Sequence, residues 1–253
     1  MTLIRVGVRG SKLALSYADK AIKAIGQGTI EVIQTDGDLN PDTPIHEIGG
    51  KGVFCNAIEY ALKYGIIDVG VHSLKDMPGD IEHPDLHICA VLERNRPHDV
   101  LIGKVFDNFV LGTSSPRRKA QLEELYANQN VQIKPIRGNI DTRLAKLDAG
   151  EYDAIVLAEA GLDALDIKRD YERLPIIPAV GQGIIALQTR KDDQRINNIV
   201  SNANHKLTYE QAKLERALLK GIGGDCSTRV AGYATGSNPI KLEAIYFTEN
   251  GNV

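Results

Sequence analysis

The stretch "LIRVGVRGSKLALSYADKAIKAIGQGTIEVIQT", residues 3–35, decides the fold. "LIRVGV" (3–8) is a short β-branched run, "SKLALSYADKAIKAIG" (11–26) is an amphipathic helix closed by Gly26, and "TIEVIQT" (29–35) is again a strand. Strand, helix and strand in immediate succession make a βαβ unit, whose two strands run parallel because a helical crossover separates them. The arrangement recurs at "FVLGTS" (109–114), "PRRKAQLEELYA" (116–127) and "VQIKPI" (131–136), after a change of character near "ERNRPHDV" (93–100). An α/β protein of two similar lobes is expected. No low-complexity linker separates them, so the lobes should join through crossing strands.

Beyond Thr189 a polar helix (192–203) precedes a second helix, for which Thr208 and Gln211 form a plausible capping box. That helix runs into "GIGGDCSTR" (221–229), and two strand candidates follow, "STRVAGYA" (227–234) and "IKLEAIYF" (240–247). Asn250-Gly251 is a hairpin signal, so a pairing strand is called for, and it is read as absent.

With 30 Lys plus Arg against 33 Asp plus Glu, the net charge of −3 argues against general attraction to nucleic acid or membrane. No stretch approaches the ~20 apolar residues that span a bilayer, and the first residues carry no secretory h-region, so a cytoplasmic protein is expected. Cys55, Cys89 and Cys226 are odd in number, far apart and outside CxxC spacing. Neither a disulfide framework nor a metal site is indicated.

The chemistry gathers in turns. At "GTSSPRRKAQL" (112–122) Ser115 can cap a helix whose first residue is Pro116, and Arg117 and Arg118 follow at once. The free N–H groups there, two guanidiniums and the hydroxyls of Thr113 and Ser115 suit an anion; the plainer reading is a capped helix with a solvated basic first turn. "IRGNIDTRLAKLDAGEYDAIVLA" (136–158) repeats the theme with Arg137 and Arg143, although Arg143 could simply pair with Asp141 or Asp148. Arginine's planar fork suits carboxylates, and a ligand with several carboxylates or phosphates would fit both turns.

"VGVRGSKLALS" (6–16) adds Arg9 and Ser11 at a strand-to-helix turn, with neither a GxGxxG nor a P-loop pattern to support a nucleotide. A long polar loop leads to Gly49-Gly50-Lys51-Gly52, and its length suits a lid or a disordered excursion alike. "DVGVHSLKDMPGDI" (68–81) sets His72, Ser73, Lys75 and Asp76 in succession, but a Ser-His hydrolase fits badly because adjacent residues of a strand face opposite sides. His72 reads as a packed or surface residue, and Asp76 as a carboxylate at a loop tip.

Taken in order, "RGSKLAL", "GGKGVF", "VHSLKDMP", "GTSSPRRKAQL", "IRGNIDTRLAKLDAGEYDAIVLAEAGL", "IPAVGQG" and the late glycine-cysteine turn resemble the porphobilinogen deaminase family. The resemblance implies two periplasmic-binding-protein-like (type II) lobes, residues 1–92 with 183–201 and residues 93–182, and a small, shortened α+β third domain over 205–253 that carries a cofactor. It implies a monomer that condenses porphobilinogen stepwise, with no nucleic acid or membrane partner. A dipyrromethane cofactor would hang from Cys226 by a thioether. Asp76 matches the catalytic carboxylate; Ser73, Lys75, Thr113, Ser115, Arg117 and Arg118 match cofactor-holding positions; Arg9, Ser11, Lys51, Arg137 and Arg143 match substrate-holding ones. Glu47, Ala164 and Asp225 depart from positions where relatives carry lysine, arginine and glycine.

Overall fold

The computed structural model describes residues 3–35, 52, 54–79, 83–223, 228–248 and 251–252, the side chains of the last two excepted. Strand β1 (Arg5–Val8), helix α1 (Lys12–Ile25) and strand β2 (Thr29–Val32) open the chain as the βαβ unit expected. The Ser11 hydroxyl accepts from the Ala14 N–H at one end of α1, and Gly26, at φ 84°, closes the other in the left-handed region that glycine adopts without strain. Helix α2 (Asn56–Lys63) follows, then β3 (Val69–Ser73), a 3₁₀ turn at Leu74–Asp76 and β4 (Leu86–Val91).

The chain then crosses into a second lobe: β5 (Asp99–Gly103), β6 (Phe109–Gly112), α3 (Pro116–Leu125), β7 (Val131–Lys134), α4 (Ile140–Asp148), β8 (Ala154–Ala158), α5 (Glu159–Ala164) and β9 (Glu172–Arg173). It returns as β10 (Ile185–Arg190) and α6 (Gln194–Val200). Helix α7 (Lys206–Gly221) and strands β11 (Val230–Thr235), β12 (Lys241–Thr248) and β13 (Gly251–Asn252) form a third unit.

The two large sheets have matching orders, β2-β1-β3-β10-β4 and β7-β6-β8-β5-β9. In each, the strand formed as the chain arrives from the other lobe, β10 or β5, runs antiparallel to its neighbours. Two crossing segments therefore join the lobes, and the inner strands are buried on both faces, as in sheets covered by helices. Val6, Val8, Val69, Val71 and Leu187 pack against α1 and α6, and the second sheet is buried on both sides in the same way. The turn after β3 has its own anchor: Leu74 and Met77 pack with Ile184 and with Ala212 of α7.

Three local expectations are corrected. Helix α7 begins before Thr208, because the His205 ring accepts from the Thr208 N–H and caps the helix; Thr208 is buried and accepts from the Arg94 N–H instead. The polar helix spans only Gln194–Val200, capped by Asp193, and ends in a 3₁₀ turn. The returning strand of the last hairpin exists: Asn252 pairs with Phe247 and Gly251 with Thr248.

Candidate active site

The sequence turns converge where the lobes face each other. Ser115 caps α3 by accepting from the Arg118 N–H, with Pro116 at the first helical position. Thr113 is buried and accepts from the Ser115 N–H. Arg117 and Arg118, however, are not solvated. Both are buried against Asp99, itself fully buried, at 2.6 Å and 2.7 Å. Arg118 also donates to the Val156 carbonyl, and Arg117 to that of Ile177. Burial pushes the Asp99 carboxyl up, but the two guanidiniums outweigh it and hold the group well below the usual carboxylate range.

From Asp99 the polar network crosses to the other lobe. Gln182 donates to Asp99 at 3.0 Å and accepts from the Lys75 ammonium at 3.2 Å. Gly181 lets this segment lie close to the Lys75 turn: its φ is 74°, and a Cβ there would stand 3.0 Å from the Lys75 nitrogen. Burial lowers the Lys75 pKa to about 8, Asp76 opposing and Arg118 adding to the shift. Arg143 pairs with neither Asp141 nor Asp148, which bind Lys12 and Arg169; it donates to the Gly138 carbonyl. Burial, and then the charges of Arg118 and Arg137, lower the Arg143 pKa to about 10.

On the opposite wall Asp76, Ser73, Ser11 and Arg9 line one pocket, with the Arg9 guanidinium 4.0 Å over the Phe54 ring. Among the described residues, the Asp76 carboxylate accepts no hydrogen bond and joins no ion pair, and it lies within electrostatic reach of Lys75 and Arg143. His72 is buried on Gln188 at 3.0 Å, and burial lowers its pKa to about 4, so it is a neutral packed residue. Cys55 stands at the N-terminal end of α2, buried at the wall of the same pocket; Cys89 is half-buried in β4. Lys51, Glu47, Asp225 and Cys226 lie outside the described residues.

Among the described residues the site's charge does not balance: Lys75, Arg117, Arg118 and Arg143 stand around two carboxylates, Asp99 and Asp76, and the Arg117 Nε is buried without a hydrogen-bond partner. Cations whose pKa values are depressed by burial and by one another are stabilised by an arriving anion. A ligand bearing several carboxylates fits this donor set.

Sequence reasoning found the cations and missed what orders them. Asp99 was signalled only as an acid opening an apolar strand, and Gln182 only as the polar residue between two glycines. Glu215 was lost on a helix face. It is fully buried, pairs with Arg94 at 2.5 Å and accepts from the Gly181 and Ala234 N–H groups, so α7 is tied to both crossing segments and to β11. Helix α7 also reaches the Asp76 loop: Arg216 donates to the Pro78 carbonyl, and a Cβ on Gly79 would lie 2.4 Å from the Leu219 Cβ. The segment that carries Cys226 therefore leaves a helix packed beside the Asp76 turn.

A family model described as "Porphobilinogen deaminase, dipyromethane cofactor binding domain" matches residues 4–198. A probable porphobilinogen deaminase of Methanocaldococcus jannaschii is 41% identical over 98% of this chain and 89% of its own. The porphobilinogen deaminase of Rickettsia prowazekii is 42% identical over 91% of this chain and 82% of its own. Among solved structures, a probable amino-acid ABC transporter extracellular-binding protein of Bacillus subtilis aligns at TM-score 0.47 and 10% identity, over 88% of this chain and 98% of that one.

Proposed function

The chain belongs to the porphobilinogen deaminase family, and from that premise we propose how its cleft carries out the family's reaction. It is a hydroxymethylbilane synthase, a transferase that condenses four porphobilinogen molecules with release of ammonia to the linear tetrapyrrole hydroxymethylbilane. The dipyrromethane cofactor supplies the primer to which the substrate rings are joined.

Each pyrrole brings an acetate and a propionate, so the growing chain gains negative charge with every ring. Lys75, Arg117 and Arg118, ordered by Asp99 and Gln182, hold the carboxylates of the primer, with Ser73, Thr113 and Ser115 supplying neutral donors. Arg9, Ser11, Lys51, Arg137 and Arg143 hold those of the substrate. Asp76 accepts hydrogen bonds from the pyrrole N–H and gives a fixed counter-charge where positive charge develops as ammonia leaves. Cys226 is the thioether anchor. Residues 1–92 with 183–201 form the lobe carrying Asp76, 93–182 the arginine-rich lobe, and 205–253 the anchor domain. The enzyme works as a cytoplasmic monomer.

The observation that carries this reading is that, among the described residues, the Asp76 carboxylate is unpaired and faces an excess of cations. Intact-protein mass spectrometry combined with turnover tests it. Asp76→Ala should keep the cofactor's mass increment and lose turnover, whereas Cys226→Ser should lose the increment. Full turnover in Asp76→Ala would remove the mechanism.

A further inference from the structure

Helix α1 presents Ser11, Ala14 and Tyr17 at intervals of three residues, so they share one face, and all three line the Asp76 pocket. Ser11 is the helix cap, and Tyr17 stands two turns further in. Its ring is buried, 6% exposed, among the apolar side chains between α1 and the first sheet. Phenylalanine would serve that packing equally well. The hydroxyl is what needs a reason, since a buried polar group costs free energy unless it is hydrogen-bonded.

Ser73 lies within electrostatic reach of Tyr17 and lines the same pocket. Two hydroxyls carry two O–H donors, and a bond between them would use only one. One donor is left over, at the pocket wall shared with Arg9, Ser11 and Asp76. Burial, and next the charge of Asp76, raise the Tyr17 pKa to about 12, so the hydroxyl keeps its proton throughout the working range. A neutral donor beside a carboxylate-binding arginine and serine has one natural acceptor.

We propose that Tyr17 is a substrate-positioning residue, whose hydroxyl donates a hydrogen bond to a carboxylate arm of the pyrrole seated against Asp76. This deepens the proposed function and rests on its placement of porphobilinogen in that pocket. Ser11 and Arg9 hold the ring from the mouth of α1 while Tyr17 holds it from within. Tyr17 thereby fixes which arm faces inward.

Steady-state kinetics on the holoenzyme of Tyr17→Phe tests this. The ring and its packing stay, so the unfolding midpoint should not fall. The KM for porphobilinogen should rise about 5- to 10-fold, the loss of one hydrogen bond to a charged group, with kcat within about twofold. Two analogues, each with one arm replaced by a methyl group, identify the contact. One of them should bind worse to the native enzyme yet no worse to Tyr17→Phe than porphobilinogen does, the non-additivity of a shared contact. A native KM in Tyr17→Phe, or equal losses for both analogues in the two enzymes, overturns the assignment. The Asp76→Ala result is read separately: if that variant turns over normally, the chemistry assigned to Asp76 fails whatever Tyr17→Phe shows.

Discussion

Lys75 and Asp76 are neighbours in sequence with different surroundings, and that contrast sets two expectations. Among the described residues Asp76 has no partner to release before it meets substrate, so Asp76→Asn, which keeps size but removes charge, should lower kcat by about 10² to 10³, the usual effect of deleting one preorganised electrostatic group. Lys75, with a pKa lowered to about 8, is a cation below that pH and loses its charge as pH rises through it. Loading of the cofactor-free protein with its primer should therefore show an alkaline limb near pH 8, because no primer carboxylate is yet there to hold the ammonium charged. Lys75→Arg should move the limb beyond pH 10, since a guanidinium stays charged; an unmoved limb would assign it to another group. His72 acts on stability instead. Its folded pKa of about 4 lies below the ordinary 6.5, so between those values the unfolded chain binds a proton that the native one does not. Stability from this residue is complete above pH 6.5 and drains away as pH falls toward 4, by roughly 3 kcal/mol in all. Urea unfolding from pH 7 to 4.5 should show this slope, and His72→Gln should flatten it. The sequence disclosed these residue types, but their surroundings come from partners distant in the chain: Gln188 for His72 and Gln182 for Lys75.

Among the elements, α7 shows where local reading succeeds and where it stops. Its existence follows from periodicity, and its start was misplaced because Thr208 and Gln211 match a capping pattern while His205 does not; both of those residues are turned inward and used by tertiary contacts. No local signal marks Glu215 as different from exposed Glu210, yet one is fully buried and the other pairs with Lys213 at the surface. Glu215→Gln should leave the buried Arg94 without a counter-charge and cost about 3 kcal/mol or more in denaturant unfolding. Glu210→Gln, which breaks an exposed pair, should cost well under 1 kcal/mol. Equal effects would mean that the Arg94–Glu215 pair does not tie α7 to the crossing segments. Because Glu215 also accepts from Gly181 and Ala234, the same change should loosen β11 and the Gln182 turn together, read as lost hydrogen-exchange protection at both.

At the scale of the molecule, the two lobes were legible because a βαβ unit is local and appears twice, whereas their mutual closure was not. The contacts that close them join residues more than a hundred positions apart: Lys12 to Asp141 at 3.0 Å, and the Ser16 hydroxyl to the Ala164 carbonyl at 2.8 Å. Ala164 is small enough to pack against the core beneath α1 and so becomes part of the closure. The Lys12–Asp141 pair is exposed on both sides and is worth at most about 1 kcal/mol. A latch of that strength suits a cleft that must admit a lengthening polyanion and then release it. Lys12→Glu would set two carboxylates against each other across the mouth. Small-angle scattering at low salt should then show a larger radius of gyration than for the native protein. Raising the ionic strength from about 0.02 M to 0.5 M shortens the screening length to a few ångströms and should abolish the difference. A variant that stays as compact as the native protein at low salt would show that Ser16 and the buried Lys75–Gln182–Asp99 network hold the lobes together without the ionic contact.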